Sequence, residues 1–265
     1  MKKTSVKTIG ILTSGGDAPG LNAAIRGVCR SAMINYGMKI VGIRNGYRGL
    51  VNGDCFTVKS DDVSGILTRG GTILGTARDK PFKKPVPNPD TGLLPIEAIK
   101  KNYEKWKLDA LVVLGGNGSQ KTANLLSMKG LNIVSLPKTI DNDVFETDMT
   151  FGYASALEVA SKTIENIKTT AASHSRIFIV EIMGHKTGHL TLNAGIAGGA
   201  DVILIPEIPF DTIAVAEKIN QNETEGKNYS IIAIAEGAKT KQDALLSKKE
   251  YKAPKNRYLS ASVCK

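Results

Sequence analysis

The segment of the chain richest in potential chemistry is Pro137-Lys138-Thr139-Ile140-Asp141-Asn142-Asp143, which closes the β-branched run LNIVSLP. A lysine and a threonine stand just before two carboxylates spaced two residues apart. Asp141 beside a cation is suited to take a proton from a hydroxyl, and Asp143 to support it or help hold a metal ion. The plain alternative is an Asx-type turn, where Asp and Asn are equally at home. Two glycine-rich segments, Thr13-Ser14-Gly15-Gly16-Asp17-Ala18-Pro19-Gly20 and Leu114-Gly115-Gly116-Asn117-Gly118-Ser119, each lead from a strand-like run into a helical pattern. Glycine there lets backbone N–H groups approach an anion, and a helix start adds partial positive charge. Tight strand-to-helix turns also take glycine for steric reasons alone. Between the two lies Gly70–Arg78, whose arginine is either a bidentate phosphate donor or a solvated loop residue.

Further on, the strand-like runs end in Glu181–His185, Pro206-Glu207 and Glu236-Gly237. His174, His185 and His189 lack metal-ligand spacing, because Gly188 interrupts the one pair that is four apart. Cys29, Cys55 and Cys264 are an odd number without zinc spacing, so free thiols are expected. The string GxxxxGK[ST] is absent. Two phosphate cradles and an acid pair point to phosphoryl transfer, which is mainly positioning and charge stabilisation.

These residues must be positioned by something, and the runs VKTIGILT, LDALVVLGG, LNIVSLP, SRIFIVEIM, ADVILIP and YSIIAIAEG supply it. Their near-continuous apolarity predicts strands buried on both faces, as in a parallel sheet, whose ligand sites lie beyond the carboxyl ends of the strands. Residues 19–36 and 154–169 read as amphipathic helices, the first ending before Gly37 as a C-cap. The alternation predicts a three-layer α/β/α architecture in two lobes with mainly parallel sheets, residues 1–150 and 151–265. Residues 79–97 are Pro-rich and read as an exposed loop.

The net charge of +10 raises the question of nucleic acid, but residues 239–265 hold eight Lys/Arg and two acids, a net +6, which leaves only +4 for the rest. A basic tail without aromatic interleaving reads as a solvated segment, so no nucleic-acid partner is expected. No apolar run approaches the roughly 20 residues that span a bilayer, and the apolar stretch near the start is too short for a secretory signal. No membrane association and a cytoplasmic location are expected.

The strings ILTSGGDAPGLNAAIRGV, RGGTILGTAR, LVVLGGNGSQ, LPKTIDND, TFGYASALEVA, SHSRIFIVEIMG, LTLNAGIAGGADVILIPE and IIAIAEG resemble the 6-phosphofructokinase family in order and spacing over residues 9–237. The resemblance implies transfer of the γ-phosphoryl of ATP to the 1-hydroxyl of fructose 6-phosphate, with Mg2+. It places Gly16, Arg78, Gly116, Asn117, Gly118 and Ser119 at the donor. Thr139 and Asp141 would meet the sugar, with Asp141 as base and Asp143 supporting it. Met183, Gly184 and His185 would bracket the sugar phosphate, and Glu236 would bind sugar hydroxyls. Arg176 would reach a neighbouring subunit's site, which implies a homo-oligomer, a tetramer or dimer.

Departures from the family pattern carry information. Asn117 stands where the family usually has a metal-binding aspartate, and His185 where it has an arginine that stabilises transition-state charge. Lys138 is shared with pyrophosphate users and a mixed-substrate branch, and it is expected to replace part of that arginine's role. Gly118 stands where pyrophosphate users tend to carry aspartate, so ATP is the expected donor. A pyrophosphate-dependent enzyme and a nucleotide- and sugar-phosphate-binding protein without turnover are the alternatives. Of the family's effector site, Arg26 and Arg30 fit, whereas Lys168 replaces an arginine and Glu225 a lysine. Family members continue past the point where this sequence stops, so a chain incomplete at its C-terminus is expected.

Overall fold

The structure is a computed structural model that describes residues 6–83, 85–87 and 91–246. Most of the basic tail, Cys264 and part of the Pro-rich stretch lie outside the described residues. The chain divides into two compact units. The first holds the residues up to Thr139 together with Val144–Gly152; the second holds Ile140–Asp143 and the chain from Tyr153 onward.

In the first unit the order is β1 (Thr8–Ser14), α1 (Leu21–Tyr36), β2 (Lys39–Ile43), α2 (Tyr47–Asn52), β3 (Cys55–Val58), α3 (Pro95–Lys105), β4 (Ala110–Gly115), α4 (Asn117–Met128), β5 (Ile133–Thr139) and β6 (Phe151–Gly152). The strands form one sheet in the order β3-β2-β1-β4-β5-β6, parallel except for β3 at the edge. Alternate side chains of β1 and β4 feed two cores. Ile9, Ile11, Val112 and Leu114 pack with Leu21, Ile25 and Cys29 of α1. Leu12, Leu111 and Val113 pack with Tyr47, Ile99 and Leu126 of α2, α3 and α4. This makes three layers, with β1 and β4 buried on both faces as their apolar runs predict. Helix α1 ends at Gly37 in the left-handed conformation (φ 63°), whose N–H closes the last turn.

The second unit contains α5 (Tyr153–His174), β7 (Ile177–Ile182), α6 (His189–Gly198), β8 (Val202–Leu204), α7 (Thr212–Thr224), β9 (Ser230–Ala235) and α8 (Lys241–Leu245). Its sheet is parallel in the order β7-β9-β8. Ile231 and Ala233 face Ile164 and Ala194 of α5 and α6, while Ile232 and Ile234 face Val215 of α7.

Burial on both faces does not extend to every strand. Val134 in β5 is 52% exposed and Ile177 in β7 is 53% exposed. β7 is an edge strand, and β5 is flanked on one side only by the two-residue β6, so part of each lacks a covering neighbour.

The start of the first sheet is fastened by Asp109, whose carboxylate accepts the backbone N–H groups of Lys7 and Thr8 at 2.7 and 2.8 Å. Those bonds hold its pKa below the usual carboxylate value. A depressed folded-state pKa gives stability that is present above the unfolded value of about 4 and is lost as pH falls through the folded one. Asp109→Asn therefore flattens the fall in urea stability below about pH 4. Equal slopes in both proteins would remove this contribution.

Candidate active site

The parallel register decides what meets at the carboxyl edge of the first sheet. Ser14 pairs with Gly115 and Gly115 with Pro137, so β1, β4 and β5 end level. The residues that follow, Gly15-Gly16, Gly116–Ser119 and Lys138-Thr139, therefore leave the sheet side by side. The two glycine loops and the first half of the PKTIDND segment share one place in the fold.

Side-chain geometry tightens this cluster. Gly15 adopts φ +94°, and a Cβ built there would come within 3.7 Å of both Lys138 Nζ and Ser119 Oγ. A side chain at this position is strained by the backbone and would crowd the convergence point. Lys138 is only 4% exposed, and its ammonium donates to the carbonyl oxygen of Gly16. Buried lysines are rare unless their donors are used, and this one braces the first loop. Arg78 Nη2 lies 3.5 Å from where a Cβ on Gly16 would stand. The Arg78 segment is laced to the loop: Gly15 N–H donates to Ala77 O at 3.0 Å, Thr76 Oγ1 to Gly15 O at 2.6 Å, and Thr13 Oγ1 to Gly75 O at 2.7 Å.

The second loop is the start of α4 itself. Gly116 is the N-cap, and Asn117, Gly118 and Ser119 form the first turn, where the helix dipole favours an anion. Gly116 lies against the β5 end: a Cβ there would be 3.3 Å from Lys138 O and 3.8 Å from Thr139 Cβ. Gln120, which its spacing does not single out, donates to Gly115 O at 2.8 Å and Leu136 O at 3.0 Å, tying β4 to β5 beneath the cluster. Tyr47 OH donates to Ser119 O at 2.9 Å from the buried side. Thr139 O accepts from Thr150 Oγ1 at 2.6 Å.

A second grouping forms in the second unit by the same device. Ile182 pairs with Ala235, so Met183-Gly184-His185 and Glu236 emerge together. Glu236 Oε1 accepts Gly184 N–H at 3.1 Å and His185 N–H at 2.6 Å, which fixes the path of the turn and leaves Oε2 outside these two bonds. His185 holds φ 54°, an uncommon conformation for a residue with a Cβ. Met183 is exposed. Glu207, at the end of the β8 run, accepts Gly188 N–H at 2.9 Å at the start of α6. Because α6 begins at His189, His185 and His189 do not share a helix. Asp141 and Asp143 are half-buried members of this unit, and Arg176 is exposed between α5 and β7. Among the described residues no group of three or more His, Cys, Asp or Glu side chains gathers as a metal site.

Residues 8–263 match the family model described as phosphofructokinase. The chain belongs to the phosphofructokinase family. It is 53% identical over 253 residues to an ATP-dependent 6-phosphofructokinase of Spirochaeta thermophila, covering 94% of this chain and 68% of that one. It is 54% identical over 236 residues to an ATP-dependent 6-phosphofructokinase of Propionibacterium freudenreichii, covering 89% of this chain and 63% of the relative. The chain thus spans about two thirds of the length of these relatives. The solved structure of Saccharomyces cerevisiae phosphofructokinase superposes with a TM-score of 0.80 at 37% identity, over 89% of this chain and 34% of that one. The phosphofructokinase-like α/β fold with mainly parallel sheets follows from these likenesses and from the sheet order.

Proposed function

We propose that this chain phosphorylates fructose 6-phosphate at its 1-hydroxyl with ATP, giving fructose 1,6-bisphosphate and ADP. The observation that carries the reading is the level ending of β1, β4 and β5, which gathers both glycine loops, Arg78 and Lys138. That cluster supplies backbone N–H groups, a helix start and two cations, the equipment needed to hold and neutralise a polyphosphate. The ATP-dependent naming of relatives near 50% identity supports ATP as the donor.

In this reading residues 1–150 bind the donor and 151–265 the sugar phosphate. Gly16, Arg78 and Gly116–Ser119 cradle the donor phosphates, and Lys138 adds charge while bracing the Gly16 loop. Thr139 and Asp141 address the sugar. The Asp141 carboxylate takes the proton of the 1-hydroxyl as that oxygen attacks phosphorus. Met183, Gly184 and His185 bracket the acceptor, and Glu236 accepts from sugar hydroxyls through Oε2. Mg2+ ordinarily takes one or two carboxylates plus substrate phosphate oxygens, so a site of few protein ligands suits it. Asn117 would offer an amide oxygen and Asp143 a carboxylate, and the ion would offset charge on the phosphates. Arg176 is assigned to a neighbouring subunit's site in a homo-oligomer, and the enzyme to the cytoplasm; no helix among the described residues is long and apolar enough to cross a membrane. Lys138 fits the mixed-substrate branch of the family.

The test is fructose 1,6-bisphosphate formation measured with ATP and, separately, with pyrophosphate. Product with ATP is expected, and product with pyrophosphate alone would reverse the donor. A second reading, binding without turnover, draws on the neutral Asn117 at the helix start. Thermal stabilisation by both ligands with no product in either assay would select it.

A further inference from the structure

We propose that Thr187 is a positioning residue that fixes the acid segment to the 184–187 turn. The proposal rests on the reading of Asp141 as the base. Thr187 Oγ1 lies 3.1 Å from the backbone carbonyl oxygen of Asp141 and 3.1 Å from that of Gly184. Its own N–H donates to Gly184 O at 3.0 Å, closing the turn. A hydroxyl has a single proton, which it gives to one carbonyl or shares between two. Gly184 O already accepts the Thr187 N–H, and the hydroxyl is the group of Thr187 that reaches Asp141 O.

Both partners of this link need fixing. On one side the turn is held rigidly: Gly184 stands at φ 152° with Thr187 O only 2.6 Å from where a Cβ would be, and His185 is at φ 54°. Glu236 fastens the N–H groups of both. On the other side Asn142, the residue after Asp141, holds φ 51°, a left-handed conformation that asparagine adopts more readily than most residues and that turns the chain sharply after Asp141. Thr187 joins the Glu236-anchored turn to that segment, 46 residues earlier in the chain. Neither the position nor its hydroxyl stands out in the sequence.

Two variants separate the hydroxyl from the bulk of the side chain. In Thr187→Ala the backbone amides of residues 141–143 exchange with deuterium about fivefold faster than in the unsubstituted chain, the worth of one hydrogen bond. In Thr187→Ser, which keeps the hydroxyl, they exchange at the original rate. Turnover with ATP follows the same order: kcat falls about fivefold in Thr187→Ala with KM for ATP unchanged, and stays within twofold in Thr187→Ser. Unchanged exchange at 141–143 in Thr187→Ala, or equal exchange in the two variants, would overturn the link. The exchange difference between the two variants, found in a chain that forms no product with either donor, would overturn the catalytic reading of Asp141 and keep the link.

Discussion

Replacing Asp141 by serine lowers kcat for fructose 6-phosphate phosphorylation by about 10²- to 10⁴-fold, the usual contribution of a positioned general base. The 1-hydroxyl of a sugar holds its proton tightly at neutral pH, so the attacking oxygen needs an acceptor as the bond to phosphorus forms. Serine keeps a small polar side chain and the backbone carbonyl that Thr187 reaches, but it cannot carry the proton. Binding of the donor is expected to be spared, because the residues proposed to hold it, Gly16, Arg78, Gly116–Ser119 and Lys138, belong to the first unit and Asp141 to the second. Thermal stabilisation by ATP should therefore match that of the unsubstituted chain, while a coupled assay reads the lost turnover. A Asp141→Ser chain that retains more than about a tenth of kcat removes Asp141 as the base.

The edges of the sheets were readable from composition because parallel strands buried on both faces are written as continuous apolar runs. All six runs became strands, and the segments just after β1, β4 and β5 leave the sheet side by side. β2, β3 and β6 escaped for separate reasons. KIVGI in β2 opens on an exposed lysine and contains a glycine, CFTV in β3 is a four-residue antiparallel edge, and β6 is two residues long. Lys138 was visible as a cation but not as a buried one, since lysine is by default a surface residue and its burial depends on partners such as the Gly16 carbonyl, which lies 122 residues away in sequence. The hold of Glu236 on the 184–185 turn, and of Thr187 on Asp141, join positions about 50 residues apart, and no local spacing encodes such pairs. Ile140–Asp143 follow the β5 run directly in sequence, yet they belong to the second unit, where Ile140 packs against the core that holds Tyr153 and Leu190.

Gly118→Asp lowers kcat/KM for ATP by about 10²-fold and shifts preference toward pyrophosphate. Gly118 is the second residue of α4 and is exposed, and a Cβ there meets only Lys80 Cε, at an ordinary 3.8 Å. The backbone therefore accepts the change without displacement. A carboxylate in the first turn of a helix is favoured by the dipole by about 0.3–1 kcal/mol, so the variant should unfold no earlier than the unsubstituted chain. Lys80 would swing its ammonium to the new carboxylate and keep it over the helix start. The same charge then stands where the reading places the nucleotide's phosphates. Two like charges about 5 Å apart at an effective dielectric near 20 repel by about 3 kcal/mol, roughly a 10²-fold loss for ATP. Pyrophosphate, being shorter, leaves that corner empty and escapes most of the penalty. The readout is kcat/KM for both donors alongside Tm. ATP parameters within threefold of the unsubstituted chain, at unchanged Tm, would place the donor phosphates away from the first turn of α4. Adding Lys80→Ala to Gly118→Asp removes the compensating cation, and ATP use should fall further while Tm stays within a few degrees.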